Sequence, residues 1–109
     1  MSDYYQGKTA VITGGASGVG RSLAFALGRA GAKIVIGDVD ATAMTAVGED
    51  LTSAGIDHQI CRCDVTDMTS LQALLDSALT AFEQVDFVFA NAGIGAGEAG
   101  AMWDFSDKD

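Results

Sequence analysis

Thr13-Gly14-Gly15-Ala16-Ser17-Gly18-Val19-Gly20 follows the apolar run Ala10-Val11-Ile12 and runs directly into Arg21-Ser22-Leu23-Ala24, the opening of a helix-like pattern. The stretch reads as a strand, a tight turn and a helix start. Glycine at 14, 18 and 20 lets the backbone turn sharply and lets a ligand approach its N–H groups. The helix behind it adds unpaired N–H groups and the positive end of its dipole, so the turn is built for a phosphate or pyrophosphate.

Two phosphate loops compete for these residues. The general dinucleotide spacing G-x-G-x-x-G is absent, whereas T-G-x-x-x-G-x-G is complete from Thr13 to Gly20. Starting instead at Gly15, Gly-Ala-Ser-Gly-Val-Gly-Arg-Ser comes within one residue of a P-loop, with Arg21 where lysine belongs. A planar guanidinium replaces that compact ammonium charge poorly.

Composition bounds the remaining choices. A length of 109 residues allows one domain at most, and 49% hydrophobic residues exclude a disordered chain. Six basic against fifteen acidic residues give a net charge of -9, which disfavours nucleic acid and anionic membranes as partners and points to a small-molecule ligand. The opening Met-Ser-Asp-Tyr-Tyr-Gln has no secretory character, and no apolar stretch is long enough to span a bilayer, so a cytoplasmic location is expected. Cys61 and Cys63 share one face of a strand-like run and read as buried free thiols. No metal site is expected: two cysteines are too few for structural zinc, and His58, the single histidine, reads as a surface residue.

Outward from the glycine turn, Lys8 to Thr13 is the first strand, a nearly continuous apolar run of the kind buried on both faces of a parallel sheet. The first helix is expected from Val19 to Ala30, with Val19, Leu23, Ala24, Leu27 and Ala30 on one face and Gly31 ending it. Lys33 to Gly37 is the second strand, and it ends at Asp38. That aspartate stands twenty-four residues after Gly14, where a dinucleotide fold places the acid that accepts from the adenosine ribose hydroxyls. A carboxylate there repels the extra phosphate of NADP, and neither Ser17 nor Val39 supplies a compensating charge, so NAD is the expected cofactor. Asp38 could instead cap a helix or, in a P-loop protein, hold magnesium.

Asp40 is the expected N-cap of a second helix burying Met44, Val47 and Leu51 and stopping near Gly55. His58 to Cys63 is the third strand. It ends in Asp64-Val65, where the carboxylate can accept from the adenine amino group and the valine can pack on the ring. Asp64 could equally serve the helix start beside it, where Thr66 or Asp67 is the expected cap. The third helix buries Leu71, Leu74, Leu75, Ala78 and Phe82 and solvates Asp76, Thr80 and Glu83. Val85 to Ala90 is the fourth strand and runs into Asn91-Ala92-Gly93.

Taken together, the T-G-x-x-x-G-x-G loop, the Asp64-Val65 strand end and Asn91-Ala92-Gly93 resemble the cofactor half of the classical short-chain dehydrogenase/reductases. That family typically has N-N-A-G at the last place; here Ala90 replaces the first asparagine. The resemblance extends from Gly7-Lys8 to Asp104-Phe105-Ser106-Asp107. It implies an α/β, Rossmann-like, doubly wound parallel sheet in the order 3-2-1-4 with right-handed crossovers. Its implied cofactor contacts are Gly14, Ser17, Gly18, Val19, Gly20, Asp38, Asp64, Val65, Asn91, Ala92 and Gly93, with Asn91 also fixing the central sheet.

The same resemblance implies a catalytic serine, a later Y-x-x-x-K and another asparagine after Gly93, none of which these 109 residues supply, so no catalytic residue is expected in the chain. Tyr4-Tyr5-Gln6-Gly7-Lys8 matches Y-x-x-x-K literally but precedes the first strand and reads as a lead-in at the opposite end of the sheet. The expected organisation is a single partial domain, with a β-α-β-α-β-α-β core over 1–94 and a mobile tail over 95–109 leading to a further helix. The fourth strand would then be an open apolar edge carrying Phe87 and Phe89. The functional expectation is an NAD-dependent oxidoreductase that is inert as 109 residues and acts on a small molecule in an oligomeric parent. A nucleotide-hydrolysing P-loop domain and a non-catalytic dinucleotide-binding module are the alternatives.

Overall fold

The computed structural model describes residues 4–16, 18–90 and 101–104. Strand and helix alternate in the order β1 (Thr9–Thr13), α1 (Gly18–Arg29), β2 (Lys33–Asp38), α2 (Ala41–Ser53), β3 (His58–Arg62), α3 (Met68–Phe82) and β4 (Phe87–Ala90), followed by β5 (Ala101–Asp104). The sheet order is β3-β2-β1-β4-β5. Its first four strands run parallel, as a chain that crosses over by a helix after each strand requires.

Alternation along the central strands sends side chains to two separate cores. Ala10, Ile12, Ile34 and Ile36 meet Ala24 and Leu27 of α1 and Met44, Val47 and Leu51 of α2. Val11 and Val35 point the other way, into Leu74 and Ala78 of α3 and Cys63. Every residue of β1 is buried, which explains why its centre, Ala10-Val11-Ile12, is apolar and not alternating. Burying each of these Ile, Leu and Val side chains contributes roughly 1.5–3 kcal/mol, and together they hold the strand ends that carry the polar residues.

Local signals set the element ends. Asp40 caps α2 by accepting from the Ala43 N–H at 3.0 Å, and Asp67 caps α3 by accepting from Thr69 at 2.9 Å, so of Thr66 and Asp67 the aspartate is the cap. Gly31 and Gly55 follow α1 and α2 with φ of 101° and 74°. Glu83 closes α3 in the left-handed region, where its N–H reaches the Leu79 carbonyl.

The fourth strand starts at Phe87 and not at Val85. Asp86 is occupied in closing the entry to β1: its N–H donates to the Thr9 carbonyl and its carboxylate accepts from the Thr9 N–H, both at 2.9 Å. Tyr4 and Tyr5 pack with Phe87, the first residue of β4, which puts Tyr4-Tyr5-Gln6-Gly7-Lys8 at the amino end of the sheet as expected of a lead-in.

Three expectations need correction. Cys63 is buried, but Cys61 is only half-buried, because β3 is the outer strand and α3 covers only part of it. The open edge at β4 is closed: Ala101–Asp104 pairs antiparallel with it, Phe87 opposite Asp104 and Ala90 opposite Ala101. An unpaired strand edge presents a row of donors and acceptors, and a later extended segment of the same chain satisfies them here. The rest of the expected tail, 95–100 and 105–109, lies outside the described residues. His58, expected at the surface, is half-buried, with Nδ1 at 2.9 Å from the Ile56 carbonyl oxygen.

Candidate functional site at the carboxyl edge

The parallel register brings the polar residues together. Thr13 stands opposite Gly37 on one side and Ala90 on the other, and Asp38 stands opposite Arg62. The glycine turn, Asp38 and Asp64 therefore all leave the sheet at its carboxyl edge.

The turn has the features that its glycines suggested. Gly14 has φ of 67° and donates its N–H to the Gly37 carbonyl at 2.7 Å, which ties the end of β1 to the end of β2. Gly20 has a steric reason to be glycine: a Cβ there would lie 2.2 Å from the Gly14 carbonyl oxygen, so α1 could not pass so close to the strand end. Gly18 is different, since a Cβ there meets nothing within 4 Å while the backbone has φ of 61°. Its surroundings are open, and Val19 beside it is 65% exposed. The first turn of α1 contains no acidic residue, so nothing on that turn competes with an incoming anion for the helix dipole. An open, glycine-lined helix start of this kind fits a pyrophosphate.

Asp38 is half-buried and serves the loop directly. One carboxylate oxygen accepts from the Ala16 N–H at 3.2 Å, and the other accepts from Val39 at 2.7 Å and Asp40 at 3.3 Å. The acid therefore lies against the glycine turn, beside the end of β2.

Asp64 is more tightly held than the sequence suggested. Its Oδ1 accepts from both the hydroxyl and the N–H of Thr66, at 2.6 and 3.0 Å, and its own N–H donates to Ser70 Oγ at 2.9 Å. The Thr66 hydroxyl and amide, with a smaller contribution from Arg62, hold the Asp64 carboxyl below the usual carboxylate range. Val65 is half-buried against the core that contains Val11 and Val35, so part of its apolar surface is already used by the fold. Ser17, Asn91, Ala92 and Gly93 lie outside the described residues.

The sequence reading did not single out Gly37 or Ser70, and it offered Thr66 only as a helix cap. Gly37 had a signal, a glycine inside a β-branched run: a Cβ there would lie 2.6 Å from Leu74 Cδ2 and 2.9 Å from Cys63 Cβ. Ser70, six residues beyond Asp64, had none. Among the described residues no group of three or more His, Cys, Asp or Glu could hold a metal ion, and no helix is long and apolar enough to cross a membrane.

A doubly wound sheet with a glycine turn after its first strand and an acid after its second defines a nucleotide-binding α/β protein. Residues 8–109 match the short chain dehydrogenase family, and the chain belongs to it. It is 38% identical over 89 residues to the 7alpha-hydroxysteroid dehydrogenase of Escherichia coli K12, covering 82% of this chain and 35% of that protein. It is 38% identical over 109 residues to (+)-borneol dehydrogenase 1 of Salvia officinalis, covering 99% of this chain and 40% of that one. Among solved structures, a short chain dehydrogenase/reductase from Burkholderia phymatum in complex with NAD superimposes with a TM-score of 0.81 at 43% identity, over 84% of this chain and 33% of that one. The chain thus spans between a third and two fifths of the length of these relatives.

Proposed function

We propose that this chain binds NAD across the carboxyl edge of its sheet, as the cofactor-binding part of an oxidoreductase acting on a small molecule with a hydroxyl or carbonyl group. The observation that carries the reading is the position of Asp38, whose carboxylate lies at the end of β2 against the glycine turn. Gly14, Ser17, Gly18, Val19 and Gly20 would hold the pyrophosphate, and Asp38 the adenosine ribose. Asp64 and Val65 would hold the adenine, and Asn91, Ala92 and Gly93 would line the far side. NAD is preferred over NADP because Asp38 places a negative charge where the additional phosphate would lie. The bound dinucleotide supplies the hydride chemistry.

The chain's own contribution is binding and orientation. The amides of the α1 start meet the phosphates, and the Asp38 carboxylate accepts from the ribose. The serine, tyrosine and lysine that the family resemblance implies for proton transfer are not assigned to any residue of 1–109, whose proposed part is cofactor binding alone. The parent is expected to be a cytoplasmic homo-oligomer. The P-loop alternative is not favoured, since the family match covers the glycine turn and Arg21 stands in the lysine position.

The test is equilibrium binding of NAD and NADP to the wild-type chain and to Asp38→Ala. The wild type should favour NAD, and the substitution should weaken NAD and bring the two affinities together, each lost charge-assisted hydrogen bond being worth about tenfold or more. An unchanged NAD to NADP ratio in Asp38→Ala would show that the ribose assignment is wrong.

A further inference from the structure

Every local hydrogen bond that Asp64 can make, except those at one oxygen, is already made. Its N–H donates to Ser70 Oγ and its carbonyl accepts from the Asp67 N–H, both at 2.9 Å. Oδ1 takes two donors from the single residue Thr66. Oδ2 has no hydrogen-bond partner among the described residues. Two donors on one oxygen fix the plane of a carboxylate, because rotating χ2 would break both at once. The Asp67 cap on α3 and the Ser70 hydroxyl hold the backbone on which that carboxylate stands.

We infer that Thr66 is a positioning residue for purine selection: by pinning Oδ1 it leaves Oδ2 as an acceptor in one fixed direction, so the site takes a 6-aminopurine dinucleotide in preference to a 6-oxopurine one. This rests on the reading above in which Asp64 meets the adenine. Adenine offers a donor from its exocyclic nitrogen. Hypoxanthine has a carbonyl there, which faces Oδ2 acceptor to acceptor, and carries its hydrogen on the neighbouring ring nitrogen instead. A carboxylate free to rotate could re-aim at that ring N–H and accept either base. A pinned one cannot. The Thr66 hydrogen bonds lower the Asp64 carboxyl further below the usual range, and the ionised carboxylate is acceptor-only.

The measurement is the ratio of affinities for NAD and for nicotinamide hypoxanthine dinucleotide. It would be taken on the wild-type chain and on Thr66→Val, Thr66→Ser and Asp64→Ala, with circular dichroism confirming the fold of each. The wild type should favour NAD by about tenfold, the scale of one hydrogen bond to a charged group. Thr66→Val, which keeps the side-chain shape and the backbone N–H on Oδ1 but loses the shorter hydroxyl bond, should leave the carboxylate plane held by one donor and cut that preference by about threefold or more. Thr66→Ser should restore it. Because the readout is a ratio, a general weakening of binding does not imitate the effect. Should Thr66→Val fail to fold, Thr66→Ala at this exposed position serves the same comparison.

A wild-type preference that survives in Thr66→Val or Thr66→Ala overturns the inference, as does a wild type with no preference. If Asp64→Ala abolishes the preference while the Thr66 variants keep it, the adenine assignment stands and the role of Thr66 falls. If the wild type binds neither dinucleotide, the proposed function itself fails.

Discussion

Ala16 and Asp38, separated by 22 positions in the chain, are joined by a hydrogen bond from the Ala16 amide to Asp38 Oδ2 at 3.2 Å. The acid proposed to receive the ribose therefore also braces the turn proposed to receive the pyrophosphate. With the Gly14 N–H on the Gly37 carbonyl, it forms a second tie between the ends of β1 and β2.

Removing the acid should loosen the turn even without a ligand. In Asp38→Ala the Ala16 amide loses its acceptor, and its hydrogen exchange should quicken by about tenfold, the scale of one bond to a charged group. Amides in the middle of β1 should be unaffected. Exchange followed by NMR checks this, and unchanged protection at Ala16 would mean that the bond does not persist in solution.

Gly20 and Gly18 should respond differently to alanine. At Gly20 the added carbon would lie 2.2 Å from a backbone oxygen, which no side-chain adjustment can relieve, so Gly20→Ala should displace the α1 start and destabilise by about 1–3 kcal/mol or more. At Gly18 there is room but φ is 61°, so Gly18→Ala should cost about 1–2 kcal/mol from backbone strain alone. Denaturant midpoints with a common m-value would measure both, and an equal, small effect at the two positions would contradict the close approach at Gly20.

Thr9 should be a site of easy stabilisation. It is fully buried and its Oγ1 has no hydrogen-bond partner among the described residues, although its backbone is paired. Thr9→Val keeps the shape and removes an unsatisfied hydroxyl, so stability should rise by roughly 1 kcal/mol. Chemical denaturation would show it, and a loss of stability would reveal a partner for the hydroxyl.

The two cysteines should be separable by reactivity and by pH. Cys63 is 1% exposed, and burial pushes its thiol above the ordinary value while a hydrogen bond with Ser70 partly opposes the rise. The unfolded chain thus ionises at Cys63 before the folded one does. Stability from this group is complete below the ordinary thiol pKa and is lost as pH rises through the higher folded value. A pH series of denaturation should show this decline in the wild type and a shallower one in Cys63→Ala. Alkylation of the native protein should label Cys61 well ahead of Cys63.

Much of this protein was legible along the chain. The apolar run Ala10-Val11-Ile12 at the centre of β1, the 3.6-residue stripe Met44, Val47 and Leu51, and Asp40 at its cap each act within one element or its immediate flank. Periodicity and local hydrogen bonding therefore reveal them directly. The order β3-β2-β1-β4 came with the motif resemblance, and the structure bears it out.

What the chain could not reveal depended on residues distant in sequence. That Asp38 holds the Ala16 amide, that Gly20 lies under the Gly14 carbonyl, and that Gly37 lies against Leu74 and Cys63 follow only once parallel strands set β1 beside β2 and α3 packs across them. The covering of β4 by Ala101–Asp104 is of the same kind. A strand's pattern records which faces are buried, but it carries no mark of which neighbour will pair with its edge, because backbone donors and acceptors are the same at every residue but proline.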